Sequence, residues 1–390
     1  MDRRRSRRLL CIAMVFFWAS EYCHAPYFTP YLESLGFTAS AIGFMTGIYG
    51  FTQIFARIPL GMITDAFSCY KKTILFGTVC TTLSSFFLMF VRSAWAIMLC
   101  RALAGLAAST WLAFTVLYNA YYRDDESVTA MTNVNAFNNG GKLLAFALGI
   151  MTASFWGYKV PLLCSFLTGL AAVAAVVMLE PIQLRHESFS LRHVVSIACN
   201  PSILAASFLA ILLQFYMQGT VFSFTSGKAR MIGASAFMIG AISLSYTLIQ
   251  VVSAPYIGKK LLKKLPAENA LLAGFAVLSL AALAIAHTES PFIILIANVF
   301  AGLGNLTING RLMATIVESV PEEKRSTAMG FFQAVYGIGM SLGPVLFGLW
   351  VSGYGYQISY TIVAVMMAVS AALAYILTKA AGKRRSSGLS

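Results

Sequence analysis

Charge is what this chain has least of. Asp, Glu, Lys and Arg together make up 11% of its 390 residues, against 58% hydrophobic ones. That is too little charge to clothe a soluble globule of this length, so most of the surface must face lipid. Acid is scarcer than base, 14 residues against 28, and Glu21 is the sole acid inside an apolar span. Metal-type spacing is missing as well. The seven cysteines, Cys11, Cys23, Cys69, Cys80, Cys100, Cys164 and Cys199, are scattered and read as small apolar fillers. No glycine-rich loop followed by Lys is present to cradle a phosphate, which removes ATP-driven pumping within the chain. Gly339-Met340-Ser341-Leu342-Gly343 spells the serine-hydrolase elbow, but it lies in an apolar helix with no His in the adjacent spans. No enzyme, cofactor or metal is therefore expected.

Long apolar runs are what the chain has instead. Ala270 to Ala286 and Ile358 to Leu377 approach or reach membrane-spanning length. Continuous runs exclude the alternating strands of a membrane barrel and leave an all-α membrane protein. Spans fall near 9–32, 40–63, 72–91, 95–120, 128–155, 160–179, 198–222, 233–256, 268–286, 291–317, 327–351 and 356–378, giving twelve transmembrane helices. The formal charge of +14 would suit nucleic acid, but its placement points elsewhere. With the N-terminus in the cytoplasm, twenty of the 28 basic residues are cytoplasmic and only Arg92, Lys159, Lys228 and Arg230 lie opposite. This positive-inside asymmetry puts both termini in the cytoplasm, and a plasma-membrane location follows as the expectation. The basic start, Met1 to Arg8, resembles a secretory or twin-arginine signal, but eleven more spans follow and an uncleaved first helix is the better reading.

The sequence repeats itself. Thr129-Ala130-Met131 returns as Thr327-Ala328-Met329, an offset of 198 that also pairs Ala136 with Ala334 and Gly141 with Gly339. One residue off that register, Ala104-Gly105-Leu106 matches Ala301-Gly302-Leu303. The expected plan is two pseudo-symmetric six-helix halves, 1–179 and 198–390, the second with a short basic tail, joined by a polar cytoplasmic linker at 180–197.

Several short motifs carry a family resemblance. The loop after the second span has Gly61, Asp65 four residues on, and the basic pair Lys71-Lys72. Pro255-Tyr256-Ile257-Gly258-Lys259-Lys260 is a degenerate copy in the second half, Arg101 and Gly105 stand four apart in the fourth span, and Gly339-Met340-Ser341-Leu342-Gly343-Pro344 lies in the eleventh. Together these resemble the major facilitator superfamily, although Ala66 and Ser68 replace the usual Arg and Gly of the loop. The resemblance implies a secondary transporter that opens a central cavity alternately to each side. Gating is then assigned to Gly61, Asp65, Lys71, Lys72, Gly339, Gly343 and Pro344. Asp65 would latch the cytoplasmic side by facing the positive N-terminal end of helix eleven, or else serve topology only. The thin Gly339/Gly343/Pro344 face suits rocking.

An ionisable group at mid-membrane costs about 2.5 to 3.5 kcal/mol, so each is a functional candidate. Glu21 is deep in helix one, Arg101 in helix four and Lys142 in helix five. The resemblance implies that Glu21 and Arg101 form a proton-coupling pair, with His24 one turn on sharing the proton; a static pair and a core His remain the alternatives. Asn135, Asn138, Asn139 and Lys142 share a helix face, and Gln214 with Gln218, Tyr246 with Gln250, and Asn305 with Asn309 add one-face polar pairs. These are the candidate substrate-binding residues, interhelical hydrogen bonding being the other reading. The expected function is proton-coupled transport of a small organic solute, with anions or carboxylates slightly favoured because Arg101 and Lys142 outnumber Glu21. Multidrug efflux is the alternative, although Ala145-Phe146 stand where that group would carry Gly-Pro, and a transport-dead sensor or scaffold is weaker still. The expected partners are the solute, protons and the bilayer, with no nucleic acid and a monomer favoured.

Overall fold

The computed structural model describes residues 3–122, 127–180, 200–257, 265–321 and 325–386. The expected linker beyond Glu180 lies outside the described residues, as do Arg123–Glu126, Lys259–Lys264 and Glu322–Lys324.

Twelve helices make up the described chain. They are α1 (Arg3–Tyr22, resuming as Ala25–Ser34), α2 (Ala39–Ala66), α3 (Tyr70–Leu88) and α4 (Ala94–Ser109, resuming as Trp111–Asn119). Next come α5 (Ser127–Trp156), α6 (Val160–Val177), and α7, which runs as Pro201–Tyr216, a π-helical Met217–Phe224 and Thr225–Met231. They end with α8 (Ala236–Tyr256), α9 (Ala267–His287), α10 (Pro291–Glu318), and α11 (325–354) and α12 (356–386), separated at Gly355, where φ is 76° and ψ 173°. Alternation along the chain puts both ends of the described chain on one face, called the near face below, and the α1–α2 and α11–α12 turns on the far face.

Backbone chemistry explains the ends and the breaks. Thr38, Ser93 and Ser235 each accept a hydrogen bond from the amide three residues on, and Asn200 accepts from Ser202 and Ile203, so the first orphan N–H groups of α2, α4, α8 and α7 are satisfied. Pro26, at the start of the second α1 segment, has no N–H to give, and the helix breaks just before it. Four glycines with φ between +76° and +86° turn the chain on the far face: Gly36, Gly157, Gly233 and Gly355. They fall at matching places in the two halves, after the first and fifth helices of each. Gly36 with the cap Thr38 repeats as Gly233 with the cap Ser235. The internal repeat is thus written in the turns as well as in the helices.

Length and apolarity alone pick out eight stretches able to cross a membrane among the described residues, the last of them holding both α11 and α12. The helices they leave out are α2, α3 and α5, and two of these face protein across the molecule's midline. Gly43, Gly47 and Gly50 of α2 press on α11: a methyl group at Gly47 would stand 2.7 Å from the Ser341 carbonyl oxygen, and one at Gly50 2.6 Å from the Met340 carbonyl carbon. At Gly43 a methyl would meet the Pro344 carbonyl oxygen and, at 3.2 Å, Gly348 Cα. On the other side α5 meets α8, with Ile150 packed over Gly240. Within the second half, Gly339 and Gly343 lie against the backbone of α7 at Ile211 and Phe215.

Hydrogen bonds between halves gather on the far face. Thr29 donates to the Ser223 carbonyl (2.5 Å), Tyr27 to the Ala236 carbonyl (3.2 Å), and the Ser40 amide to Ser352 (2.8 Å). Arg230 donates to the Pro30 carbonyl at 2.7 Å and pairs with Glu33 at 3.4 Å, and Tyr356 donates to the same carboxylate at 3.1 Å. Nearer the other face, Arg57 to Gln333 (3.2 Å) is the one cross-half hydrogen bond found among the described residues. The far face is sealed.

Crowding at these glycines predicts two distinct outcomes. Overpacking of this kind costs roughly 1–3 kcal/mol. Gly339→Ala should lower the thermal stability of the purified protein, because α7 and α11 belong to one half. Gly43→Ala should act mainly between halves. It should raise labelling of a cysteine placed at Gln218 by a reagent supplied from the far side, with a smaller loss of stability, and equal effects of the two changes on both readouts would contradict this division.

Candidate functional site

Between the two halves, at mid-membrane depth, is a small pocket of about 30 Å³. It is lined by Glu21, Tyr22, His24, Ala25 and Phe28 of α1, Thr46 and Tyr49 of α2, Arg101 of α4, and Gln218 and Phe222 of α7. The α1 break supplies part of its wall. Where the helix stops at Tyr22 and restarts at Ala25, Glu21 and His24 come to the same cavity. The π-helical segment of α7 supplies the opposite wall, adding the residue that keeps Gln218 and Phe222 aimed inward.

The charged groups are buried and incompletely paired. Arg101 is 9% exposed, and its guanidinium lies over the rings of Phe28 (5.1 Å) and Tyr49 (4.8 Å). Stacking of this kind stabilises a desolvated cation without neutralising it. Glu21, 5% exposed, has the Thr81 hydroxyl beside it and Arg101 within electrostatic reach, yet no ion pair joins the two. Its Oε1 and the Nε of Arg101 have no hydrogen-bond partner. His24 bonds through Nδ1 to Ser165 Oγ at 2.9 Å, stands edge-on to Phe28, and leaves Nε2 unpartnered. The three residues expected to handle the proton are therefore brought together, with free hydrogen-bonding capacity turned on one cavity.

The residues expected to bind substrate divide into groups. Gln218 lines the pocket, whereas Gln214, one turn earlier on α7, does not. Lys142 holds its ammonium over the rings of Trp18 (5.2 Å) and Tyr22 (5.0 Å), so it stands behind the Tyr22 wall. Asn135 is exposed, while Asn138 and Asn139 are half-buried, with Asn138 Oδ1 enclosed and unpartnered. In the second half Asn305 donates to Gln250 Oε1 at 3.2 Å, Gln250 donates to the Tyr246 carbonyl at 3.2 Å, and Tyr246 donates to the Met217 sulfur. That chain ties α10, α8 and α7 together beneath Phe222, whose ring stands edge-on to Tyr246 at 5.6 Å. Asn309 is half-buried on α10.

Of the expected gate residues, Gly61, Asp65, Lys71 and Lys72 lie toward the near face, whereas Pro344 stands opposite Gly43, close to the far end of α2. Asp65 accepts a 2.7 Å hydrogen bond from Tyr70, and the residues around the small pocket that it shares with Gly61 come from α2, α3 and α4. Tyr70, at the head of α3, has its phenol pushed up in pKa by burial and by the carboxylate that it bonds. Lys71 caps α6, donating to the Val177 carbonyl at 3.0 Å and the Leu179 carbonyl at 2.5 Å, and Lys72 is exposed. A methyl at Gly61 would be in ordinary contact with Leu112, 3.6 Å away, so of the three expected gate glycines only Gly339 and Gly343, beside Pro344, are tightly packed.

Sequence reasoning missed Tyr22, Ala25, Phe28, Thr46, Tyr49 and Phe222. Aromatic residues are common in apolar spans, and only the position of a cation across the gap marks Phe28 and Tyr49 as functional. The available signal was in Tyr22 and Tyr49, whose hydroxyls are seldom left in hydrocarbon without a reason.

Comparison with known proteins agrees with this architecture. An uncharacterized MFS-type transporter of Methanocaldococcus jannaschii is 22% identical over 365 residues, spanning 90% of this chain and 92% of the relative. A variant of the nucleoside transporter NupG superposes with a TM-score of 0.78 at 16% identity, covering 96% of this chain and 99% of that one. A bacterial homolog of the human lysosomal transporter Spinster, crystallised inward-facing and occupied, also gives 0.78, at 13% identity and 96% coverage of both chains. At such identities these structures speak to fold alone. The sequence model of the Major Facilitator Superfamily matches residues 10–228 and again 204–389, and the chain belongs to that superfamily of membrane transporters.

Proposed function

We propose that this transporter moves a small organic solute by alternating access, that proton binding at Glu21 drives it, and that solutes bearing a negative charge are preferred. The observation that carries this reading is the Glu21–Arg101 pair, facing one cavity between the halves without closing an ion pair, each with an unpartnered buried atom. Desolvation favours the neutral carboxylic acid and a nearby guanidinium favours the carboxylate, so a cycle that changes their separation loads and releases a proton. His24, on the same cavity, is placed to relay it. The far-face seal, with Arg57–Gln333 the one bridge toward the near face among the described residues, supports this reading, since one end of such a cycle would need one face closed and the other weakly held. In the opposite state Asp65 would exchange its bond with Tyr70 for the N-terminal end of α11, which gives the gate residues their role. The preference for anions rests on charge count alone: Arg101 and Lys142 against Glu21.

One observation favours multidrug efflux instead. Four rings, Tyr22, Phe28, Tyr49 and Phe222, line the pocket, a surface suited to flat apolar ligands. A thermal-shift screen of the purified protein against organic acids, sugars, amino acids, nucleosides and cationic drugs separates the two readings, because bound ligand raises the unfolding temperature. Stabilisation by acids supports the first reading and stabilisation by cationic drugs the second.

Coupling is tested in proteoliposomes. Glu21→Gln should abolish accumulation driven by a pH gradient while leaving counterflow exchange of labelled substrate largely intact; full pH-driven accumulation by the variant would remove Glu21 from the mechanism. Asp65→Asn should shift cysteine labelling toward the near-open state, and unchanged labelling from both sides would leave Asp65 a topology residue.

A further inference from the structure

Arg230 and Glu33 form the one ion pair that joins the two halves among the described residues. The pair stands at the far face, where α1 ends, and both side chains are open to solvent in part, 35% and 27% exposed. A single nitrogen of Arg230, Nη1, makes both polar contacts, to the Pro30 carbonyl at 2.7 Å and to Glu33 Oε2 at 3.4 Å. The second is long, because charge-assisted N–H···O bonds run at about 2.7–2.9 Å. Nε and Nη2 have no hydrogen bond to a described residue, so the guanidinium fork is only partly used. Tyr356, at the head of α12, donates to the other carboxylate oxygen, Glu33 Oε1, at 3.1 Å. Gly227, one turn before Arg230 on α7, leaves room for that carboxylate: a methyl there would stand 2.8 Å from Glu33 Oε1 and strike the Tyr356 hydroxyl.

The donors and the carboxylate belong to different halves. Arg230 and Tyr356 are carried by α7 and α12, Glu33 by α1. About one turn away, the Thr225 and Tyr360 hydroxyls, 2.8 Å apart, hold α7 to α12. Every partner of Arg230 found among the described residues lies in the first half: Pro30, Glu33, and Tyr158, whose ring is 5.8 Å from the guanidinium carbon. A rocking motion that opens the far face therefore strips Arg230 of all three and leaves it beside Tyr356 at the opened mouth. The vacated cradle is shaped for what it held, a planar carboxylate with one oxygen for the guanidinium and one for the phenol. We infer that Arg230 and Tyr356 form a docking site for carboxylate-bearing solutes at the far mouth, filled in the closed state by the chain's own Glu33. Glu33 and the solute exclude each other, so the face closes only once the solute has left the cradle. The site deepens the transport reading and its anion preference, on which its role in transport rests.

Removing Glu33 exposes the cradle in the closed protein. Thermal unfolding of the purified full-length Glu33→Ala variant is followed in potassium acetate, and in potassium chloride with acetamide, at equal ionic strength; bound ligand raises the unfolding temperature. Acetate should stabilise Glu33→Ala more than it does the unaltered protein, and acetamide should not. Adding Arg230→Gln should remove the excess, weakening acetate by roughly tenfold or more, the scale of a lost charged hydrogen bond. Adding Tyr356→Phe, which deletes only the hydroxyl, should remove part of it. Glu33→Ser leaves the same gap and serves in place of Glu33→Ala should that variant not fold. Equal effects of acetate and acetamide on the Glu33 variant overturn the inference, as does an acetate excess that survives Arg230→Gln. The same measurements separate the cradle from the transport reading. An Arg230-dependent acetate excess, in a protein that no organic acid stabilises when unaltered, sinks the anion preference alone. Stabilisation of the unaltered protein by organic acids, without any acetate excess in the Glu33 variant, sinks the docking site alone.

Discussion

Hydrocarbon gives helices no hydrophobic reason to adhere to one another, and association must come from close packing and from the few polar contacts that survive. In this protein that constraint falls on bare backbone. Where Gly43, Gly47 and Gly50 meet the 340–348 stretch of α11, the two helices approach until even a methyl group would strike a carbonyl. The contact joins the halves backbone to backbone, and the buried apolar side chains of Ile42 and Met45 beside it run into the core of the second half. Gly339 and Gly343 do the corresponding work inside the second half, against α7. α11 therefore packs on α7 of its own half with one face and on α2 of the other half with another.

Everything polar in the centre depends on that geometry. Arg101 is tolerated deep in the molecule because Phe28 and Tyr49 stack on it, and Tyr49 is in place because α2 is pressed between α4 and α11. Gly105 of α4 takes part, with its missing side chain directed at the Tyr49 carbonyl. Glu21 and His24 reach the same space through the α1 break, and Phe222 through the extra residue of the π-helical turn. Two of the departures from regular helix lie at the pocket, on α1 and α7, which belong to opposite halves and meet at the far-face seal.

Much of the fold was legible in the sequence. Apolar runs, the asymmetric basic residues and the offset of about 198 residues pointed to twelve helices in two related halves, and the paired turn glycines Gly36 with Gly233 and Gly157 with Gly355 carry that repeat into the loops. At the site, Glu21, Arg101, His24 and Lys142 stood out because ionisable groups in apolar spans are expensive. Their aromatic partners did not, since Phe28, Tyr49 and Phe222 look like any other ring in a lipid-facing run. The broken α1 and the π-helical stretch of α7 were read as continuous helix. Period and composition do not register one inserted residue, whose stability comes from neighbouring helices.

By itself the sequence determined that the chain crosses a membrane, how many times, and which charges it must bury, because solvation by lipid acts on each segment independently of the others. Only the tertiary structure decided which of those charges share a cavity, which face is sealed, and which polar atoms are left without partners. Those are properties of pairs of helices far apart in the chain, set by the few places where their backbones can touch.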